Sequence, residues 1–215
     1  MKALVLDFGG PVLRTPFELL RGGEARVGLA AGSLAWTGPF DPSADADWQA
    51  MQTHEITERD YWQRKAEQFA ALTGREASFR GLMDVLFAAP EDELVRPEAV
   101  SLVQDARSAG LSIAVLTNDM QAFHGLEWVQ RNEFLKLVDV LVDGSVEHVL
   151  KPDRRIYEMA LERLGLAAPD CVFVDDQPGN IAGAETVGMC TVWFDVTAPS
   201  TSYAEVRTLL GLESQ

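Results

Sequence analysis

Apolar residues follow two rhythms along this chain. Between Pro97 and the C-terminus they form short, nearly continuous runs, SIAVLTN (112–118), LVDVLVDG (137–144), DCVFVDD (170–176) and MCTVWFD (189–195), and a similar run opens the chain in LVLDFGGPVLRTP (4–16). Runs of this length, bounded by turn residues, predict strands buried on both faces. Segments of helical period separate them: one ending at Gly110, one around 121–132, one over 153–164 closed by Gly165, and one from Asn180 to Val187. Apolar strands alternating with amphipathic helices predict a doubly wound parallel sheet.

Residues 16–95 follow a different pattern. Gly38-Pro39 marks a turn, Asp45 and Asp47 an acidic helix start, and Tyr61, Ala66, Phe69 and Leu72 recur with helical period. Several helices and no strands are expected, as an all-α insertion after the first strand. The expected organisation is a core of residues 1–15 and 96–215 with a helical cap over 16–95. Trp36, Trp48 and Trp62 fall in this insertion, where packing among its helices is expected.

The chain has 215 residues, 47% hydrophobic and 24% charged, enough for a substantial core. A formal net charge of −15 argues against nucleic acid and anionic membranes as partners, since both need clustered Lys and Arg. A small anionic substrate needs only a local positive pocket. Cys171 and Cys190, the only cysteines, have no metal-ligand spacing and predict a reducing compartment. The opening apolar run is too short for a signal-peptide core, and no segment has about 18 uncharged apolar residues. A soluble cytoplasmic protein, monomer or homodimer, is expected.

The chemistry is concentrated at strand ends. Asp7 ends the first run, Thr117-Asn118 follow AVL, Lys151 stands in VLKPD, and Asp175-Asp176 follow VFV. In a parallel sheet of neighbouring strands these groups converge on one edge, where such folds bind ligands. A carboxylate nucleophile, a hydroxyl, an ammonium and an acid pair are the parts phosphoryl transfer needs, with carboxylates to hold a hard metal. Taken singly, each has a plainer reading as a helix cap, a solvated lysine or a turn former. Their ordered recurrence outweighs those readings.

DFGGPV, LTN, LKPDRRIY and FVDDQPGNIAGAETVGM together resemble the four motifs of the haloacid dehalogenase-like hydrolases, over essentially the whole chain. The resemblance implies a Rossmann-like core with a helical cap, and Mg²⁺-dependent hydrolysis of a small phosphorylated metabolite through an aspartyl-phosphate. It implies that Asp7 attacks phosphorus, that Thr117 and Lys151 hold phosphoryl oxygens, and that Asp7, the Gly9 carbonyl, Asp175 and Asp176 hold Mg²⁺. Gly9, Gly10 and Asn118 would complete the substrate site, and Arg14 would meet a substrate anion or face solvent.

One position departs from the pattern. The family places a second aspartate two residues after the nucleophile, a general acid/base worth about 10² to 10⁴ in rate, and this chain has Gly9 there. Leaving groups of low pKa need that acid least. Hydrolysis of 2-haloacids is an alternative, because halide departs without a proton, and Lys151 with Tyr157 fits it. Against it, an acid pair repels a carboxylate substrate. A catalytically weak phosphate-binding or interaction protein with this fold is a third reading. His54, His124 and His148 have no evident partners in the sequence, and surface or packing roles are expected.

Overall fold

A computed structural model describes residues 1–53 and 55–212, so His54 lies outside the described residues. The chain divides into two compact units, one of residues 1–14 and 91–215, the other of residues 15–90.

The first unit is built on five parallel strands, β1 (Ala3–Leu6), β2 (Ser112–Thr117), β3 (Val140–Asp143), β4 (Cys171–Asp175) and β5 (Cys190–Trp193), in the order β3-β2-β1-β4-β5. The chain winds outward from β1 through β2 to β3, then returns to place β4 on the other side of β1. That reversal makes the gap between the ends of β1 and β4 the switch point at which such sheets bind ligands. Helices Arg154–Leu164 and Pro178–Thr186 cover one face; Pro97–Ser108 and Pro199–Leu210 pack on other strand surfaces of the same sheet. Ala3, Val5, Ala114, Leu116, Cys171 and Phe173 meet Ile156, Tyr157, Ala160 and Ala184 in one apolar layer. Such two-sided burial is why these strands read as unbroken apolar runs.

Three elements differ from the sequence expectation. The helix expected over 121–132 is two short helices, Met120–His124 and Leu126–Arg131, broken at Gly125, whose φ of 81° no helix accommodates. The run from residue 137 pairs only from Val140, because Phe134–Leu137 forms a 3-10 turn. Pro199–Leu210, where no element is expected above, is a helix: Pro199 starts it, Gly211 ends it in the left-handed region, and Ser202, Tyr203, Val206 and Leu210 make its buried stripe.

The second unit is helical, with Pro16–Arg26, Ala46–Gln52, Glu58–Thr73 and Phe79–Leu86, and no strand among its described residues. Trp36, Trp48 and Trp62 lie in its core with Tyr61, Phe69, Leu82 and Met83. Leu72, expected on the buried stripe, is instead 51% exposed, and Lys65 occupies that stripe. The Lys65 ammonium donates to Asp45 at 3.1 Å and Asp47 at 3.0 Å, and the Tyr61 hydroxyl donates to Asp45 at 2.8 Å.

Burial works to raise the Asp45 carboxyl, but bonds from Tyr61, Lys65 and the Trp48 amide hold it below the usual carboxylate range. Its stabilising contribution is therefore present above the unfolded-state value and is lost as pH falls through the lower folded one. Lys65→Met leaves burial opposed by fewer donors, and breaking a buried pair in this way costs about 3–5 kcal/mol. Denaturant unfolding should show that loss near neutral pH, shrinking on acidification as Asp45 takes a proton. A pH-independent loss would mean that Lys65 acts through packing alone.

Candidate active site

The register of β1 with β4 pairs Leu6 with Val174, so the next residues, Asp7 and Asp175, stand side by side at the ends of adjacent strands. The Asp7 amide donates to the Val174 carbonyl at 2.8 Å, extending the ladder to the carboxylates themselves. The Lys151 ammonium lies between them, 2.8 Å from Asp7 Oδ1 and 2.6 Å from Asp175 Oδ2. Its side chain is 1% exposed and that of Asp175 is fully buried.

Asn118 brings Lys151 there. Its side-chain amide donates to the Lys151 carbonyl at 3.2 Å and its Oδ1 accepts the Lys151 amide at 2.7 Å. This two-way bond ties the loop to the end of β2. Asn118 thus acts on Lys151 in this structure, while Thr117 is buried at the end of β2 opposite Asp143. Asp143, another strand-end acid, accepts from Gln121, Ser145 and the Ser145 hydroxyl, and so secures the following loops.

Asp175 accepts from several donors. Besides Lys151, it accepts the Gln177 amide at 2.8 Å and Asn180 Nδ2 at 3.1 Å to each oxygen. Asn180 is held in turn, its carbonyl accepting the buried Tyr157 hydroxyl at 2.8 Å. Gly183 allows this packing, because a Cβ there would lie 2.7 Å from the Tyr157 oxygen. Asn180 and Tyr157 are supporting residues whose roles the sequence alone did not disclose, although both stand in its motifs.

Asp176 completes an acidic group with Asp7 and Asp175, one carboxylate oxygen from each lying within 4.8 Å of the others. Gly10, with φ of +85°, approaches so closely that a Cβ would meet Asp176 Cγ at 2.9 Å. Gly9 differs: its φ lies outside the left-handed region, and a Cβ there would meet only Asp7 Oδ2, at 3.9 Å. Arg14 Nε donates to the Glu93 carbonyl at 3.1 Å.

Burial raises the Asp7 carboxyl above the ordinary carboxylate range, Lys151 pulls it back, and Asp175 adds to the rise. Burial lowers Lys151, but Asp175 and Asp7 more than offset this and hold the ammonium charged. Among the other titratable groups, His124 stacks on Trp128 at 4.2 Å, and burial lowers it to about 4. His148 is exposed at the left-handed end of the Gly144–Glu147 turn.

A family model for haloacid dehalogenase-like hydrolases matches residues 1–188. A phosphoserine phosphatase of Thermus thermophilus is 31% identical, the match covering 91% of this chain and 89% of that protein. (S)-2-haloacid dehalogenase 4A of Burkholderia cepacia is 26% identical over 89% of this chain and 82% of its own length. Acyl-CoA dehydrogenase family member 10 of Mus musculus is 28% identical over 98% of this chain, which spans only 19% of that longer protein. A solved dehalogenase shares the fold with a TM-score of 0.62 at 23% identity, covering 97% of this chain and 96% of its own.

Asn180→Ala removes the Nδ2 donor that both oxygens of the buried Asp175 carboxylate share and should destabilise the protein by about 1–3 kcal/mol. Tyr157→Phe, which leaves one carbonyl without its donor, should cost about 1 kcal/mol by the same reasoning. Urea unfolding of the two variants checks this ranking. An unchanged midpoint for Asn180→Ala would show that Lys151 and the Gln177 amide suffice to hold Asp175.

Proposed function

The chain belongs to the haloacid dehalogenase-like hydrolase family, and we propose that within it this protein is a Mg²⁺-dependent phosphatase acting on a small phosphorylated metabolite. The observation that carries this reading is the acidic group of Asp7, Asp175 and Asp176, of which Asp7 and Asp175 share a single ammonium. Fully ionised, three carboxylates beside one lysine would carry two more negative charges than the ammonium offsets, an excess that a hard divalent cation would balance while favouring the ionised form of Asp7. The donor set is all oxygen, as Mg²⁺ prefers. Asp7, Asp176 and the Gly9 carbonyl would hold the ion. Asp175, already bonded to Lys151, Asn180 and the Gln177 amide, would support them. Bound Mg²⁺ would neutralise phosphoryl charge and orient the phosphate.

The residues divide the remaining roles. Lys151 holds Asp7 Oδ1, which leaves Oδ2 to attack phosphorus in line with the leaving oxygen. The new O–P bond forms as the ester bond breaks, and its electron pair leaves with the departing oxygen. Lys151 and Thr117 would hold the phosphoryl oxygens, and water would then cleave the aspartyl-phosphate. No side chain at residue 9 protonates the leaving oxygen, so substrates with leaving groups of low pKa should be favoured.

Gly9 also supports a second reading, hydrolysis of 2-haloacids, in which Asp7 displaces halide and no proton is needed. The acid pair weighs against it, because it would repel the substrate carboxylate.

The discriminating measurement is kcat/KM for phosphate monoesters of graded leaving-group pKa, with wild type and Gly9→Asp. The wild type should depend steeply on leaving-group pKa. The variant, whose Cβ the turn admits, should flatten that dependence and raise turnover of alkyl phosphates by about 10²-fold, the low end for acid/base catalysis. Equal slopes in two folded, Mg²⁺-binding proteins would place the proton donor elsewhere. Halide release from 2-haloacids without phosphate turnover would establish the second reading.

The metal ligands have their own test. Asp176→Ala should abolish Mg²⁺ binding in calorimetry and nearly all turnover, whereas Cys171→Ala should retain both. Unchanged Mg²⁺ affinity in the Asp176 variant would remove that residue as a ligand.

A further inference from the structure

Trp193 ends β5 with 51% of its surface exposed, yet its indole has a specific partner. The strand register sets Trp193 beside Asp175, and its Nε1 donates to the Asp176 main-chain carbonyl at 2.9 Å. The next residue, Phe194, donates its amide to the Asp175 carbonyl at 2.9 Å. Two consecutive residues of one chain segment therefore hold the two consecutive carbonyls of the acid pair, one through the backbone and one through a side chain.

The other side of Asp176 is built more rigidly. Gly10 abuts its carboxylate, and the Gly10 carbonyl accepts Nε of the buried Arg96 at 2.7 Å. The Arg96 guanidinium carbon lies 5.7 Å from the centre of the Phe194 ring, and the neighbouring Pro11 carbonyl accepts the Tyr203 hydroxyl at 2.7 Å. Buried donors thus fix the loop against which Asp176 rests. The Asp176 peptide lies just beyond the last residue of β4, and the Trp193 indole holds its carbonyl there. Indole Nε1 is a donor only, carried on a rigid ring, so it sets the direction of the peptide it binds.

We infer that Trp193 is a positioning residue for Asp176: its indole N–H fixes the Asp176 peptide so that the carboxylate faces Asp7, and thereby sets the affinity of the acidic group for a divalent cation. The inference rests on the metal reading proposed above. Groups that orient metal ligands typically change metal affinity by about 10- to 100-fold when removed. Loss of one bond to a ligand's own peptide belongs at the lower end.

Trp193→Phe keeps an aromatic ring and deletes the N–H. Titrating Mg²⁺ into substrate-free protein by calorimetry should give about tenfold weaker binding than wild type, the lower bound of that range. The thermal midpoint without Mg²⁺ should be preserved. Turnover of an activated aryl phosphate should need correspondingly more Mg²⁺, with kcat recovering at saturation, which a merely structural lesion would not allow. Trp36→Phe, which removes an indole bond to Gln68 in the other unit, should bind Mg²⁺ like wild type. Equal affinities for wild type and Trp193→Phe would overturn the inference and leave the metal reading standing. Failure of the wild type to bind Mg²⁺ would overturn both. A Trp193→Phe protein that unfolds without Mg²⁺, or whose kcat is not restored by it, would make Trp193 a structural residue and also overturn the inference.

Discussion

Parallel pairing of β1 with β4 forces two carboxylates into adjacent positions at the sheet edge, and most of the site follows from keeping them there. Strands in register lie about 4.8 Å apart, so Asp7 and Asp175 cannot separate without breaking the ladder. Unit charges 4 Å apart interact by about 4 kcal/mol at an effective dielectric near 20, a large fraction of a domain's stability. Lys151 turns that repulsion into two attractions. A lysine on a free loop would spend entropy to do so, and Asn118 removes that freedom by holding the Lys151 main chain at both polar groups. Asn180, the Gln177 amide and Tyr157 extend the same logic around Asp175. The site is a chain of supports, each fixing the donor that fixes the next.

The parts legible in the sequence are those whose signal is local. Buried parallel strands are apolar without alternation, so their ends could be located, and with them Asp7, Thr117, Lys151 and the Asp175-Asp176 pair. Supporting residues carry no such signal, because their roles depend on what lies across space. Asn118 resembled a helix cap, and its bond is to a loop 33 residues away. Gln177 contributes to Asp175 through its backbone, which no side-chain pattern can express. Trp193 read as one more apolar strand residue, since nothing local marks its bond to Asp176. Gly125 sat inside a helical periodicity whose side-chain pattern could not disclose its positive φ.

The helical unit shows the same limit from the opposite side. Its core includes a lysine, and the helical period of Tyr61, Ala66 and Phe69 places Lys65 on the buried stripe. A buried ammonium is tolerable only with partners, so the stripe itself implies nearby acids without saying which. Asp45 and Asp47 fill that role from a segment about twenty residues earlier, and the Asp45 side chain also caps the helix Ala46–Gln52 by accepting from the Trp48 amide. One carboxylate thus sets a helix start and neutralises a core charge, tying the position of one helix to another.

The neighbouring glycines after Asp7 separate conformation from chemistry. Gly10 is required by geometry, because its φ is positive and a Cβ would collide with the Asp176 carboxylate. A glycine of that kind carries no information about the reaction. Gly9 is under neither constraint: its backbone suits any residue, and a side chain there would project into space whose nearest neighbour is Asp7 Oδ2. The missing acid is therefore not excluded by the fold, and its absence bears on which bonds can be broken. A departing oxygen that receives no proton must carry its charge away, as activated phosphates permit and halides do without difficulty. The position of Gly9 thus admits both chemistries, and in the function proposed above it is the charge of Asp175 and Asp176, at the end of the adjacent strand, that weighs them toward phosphorus.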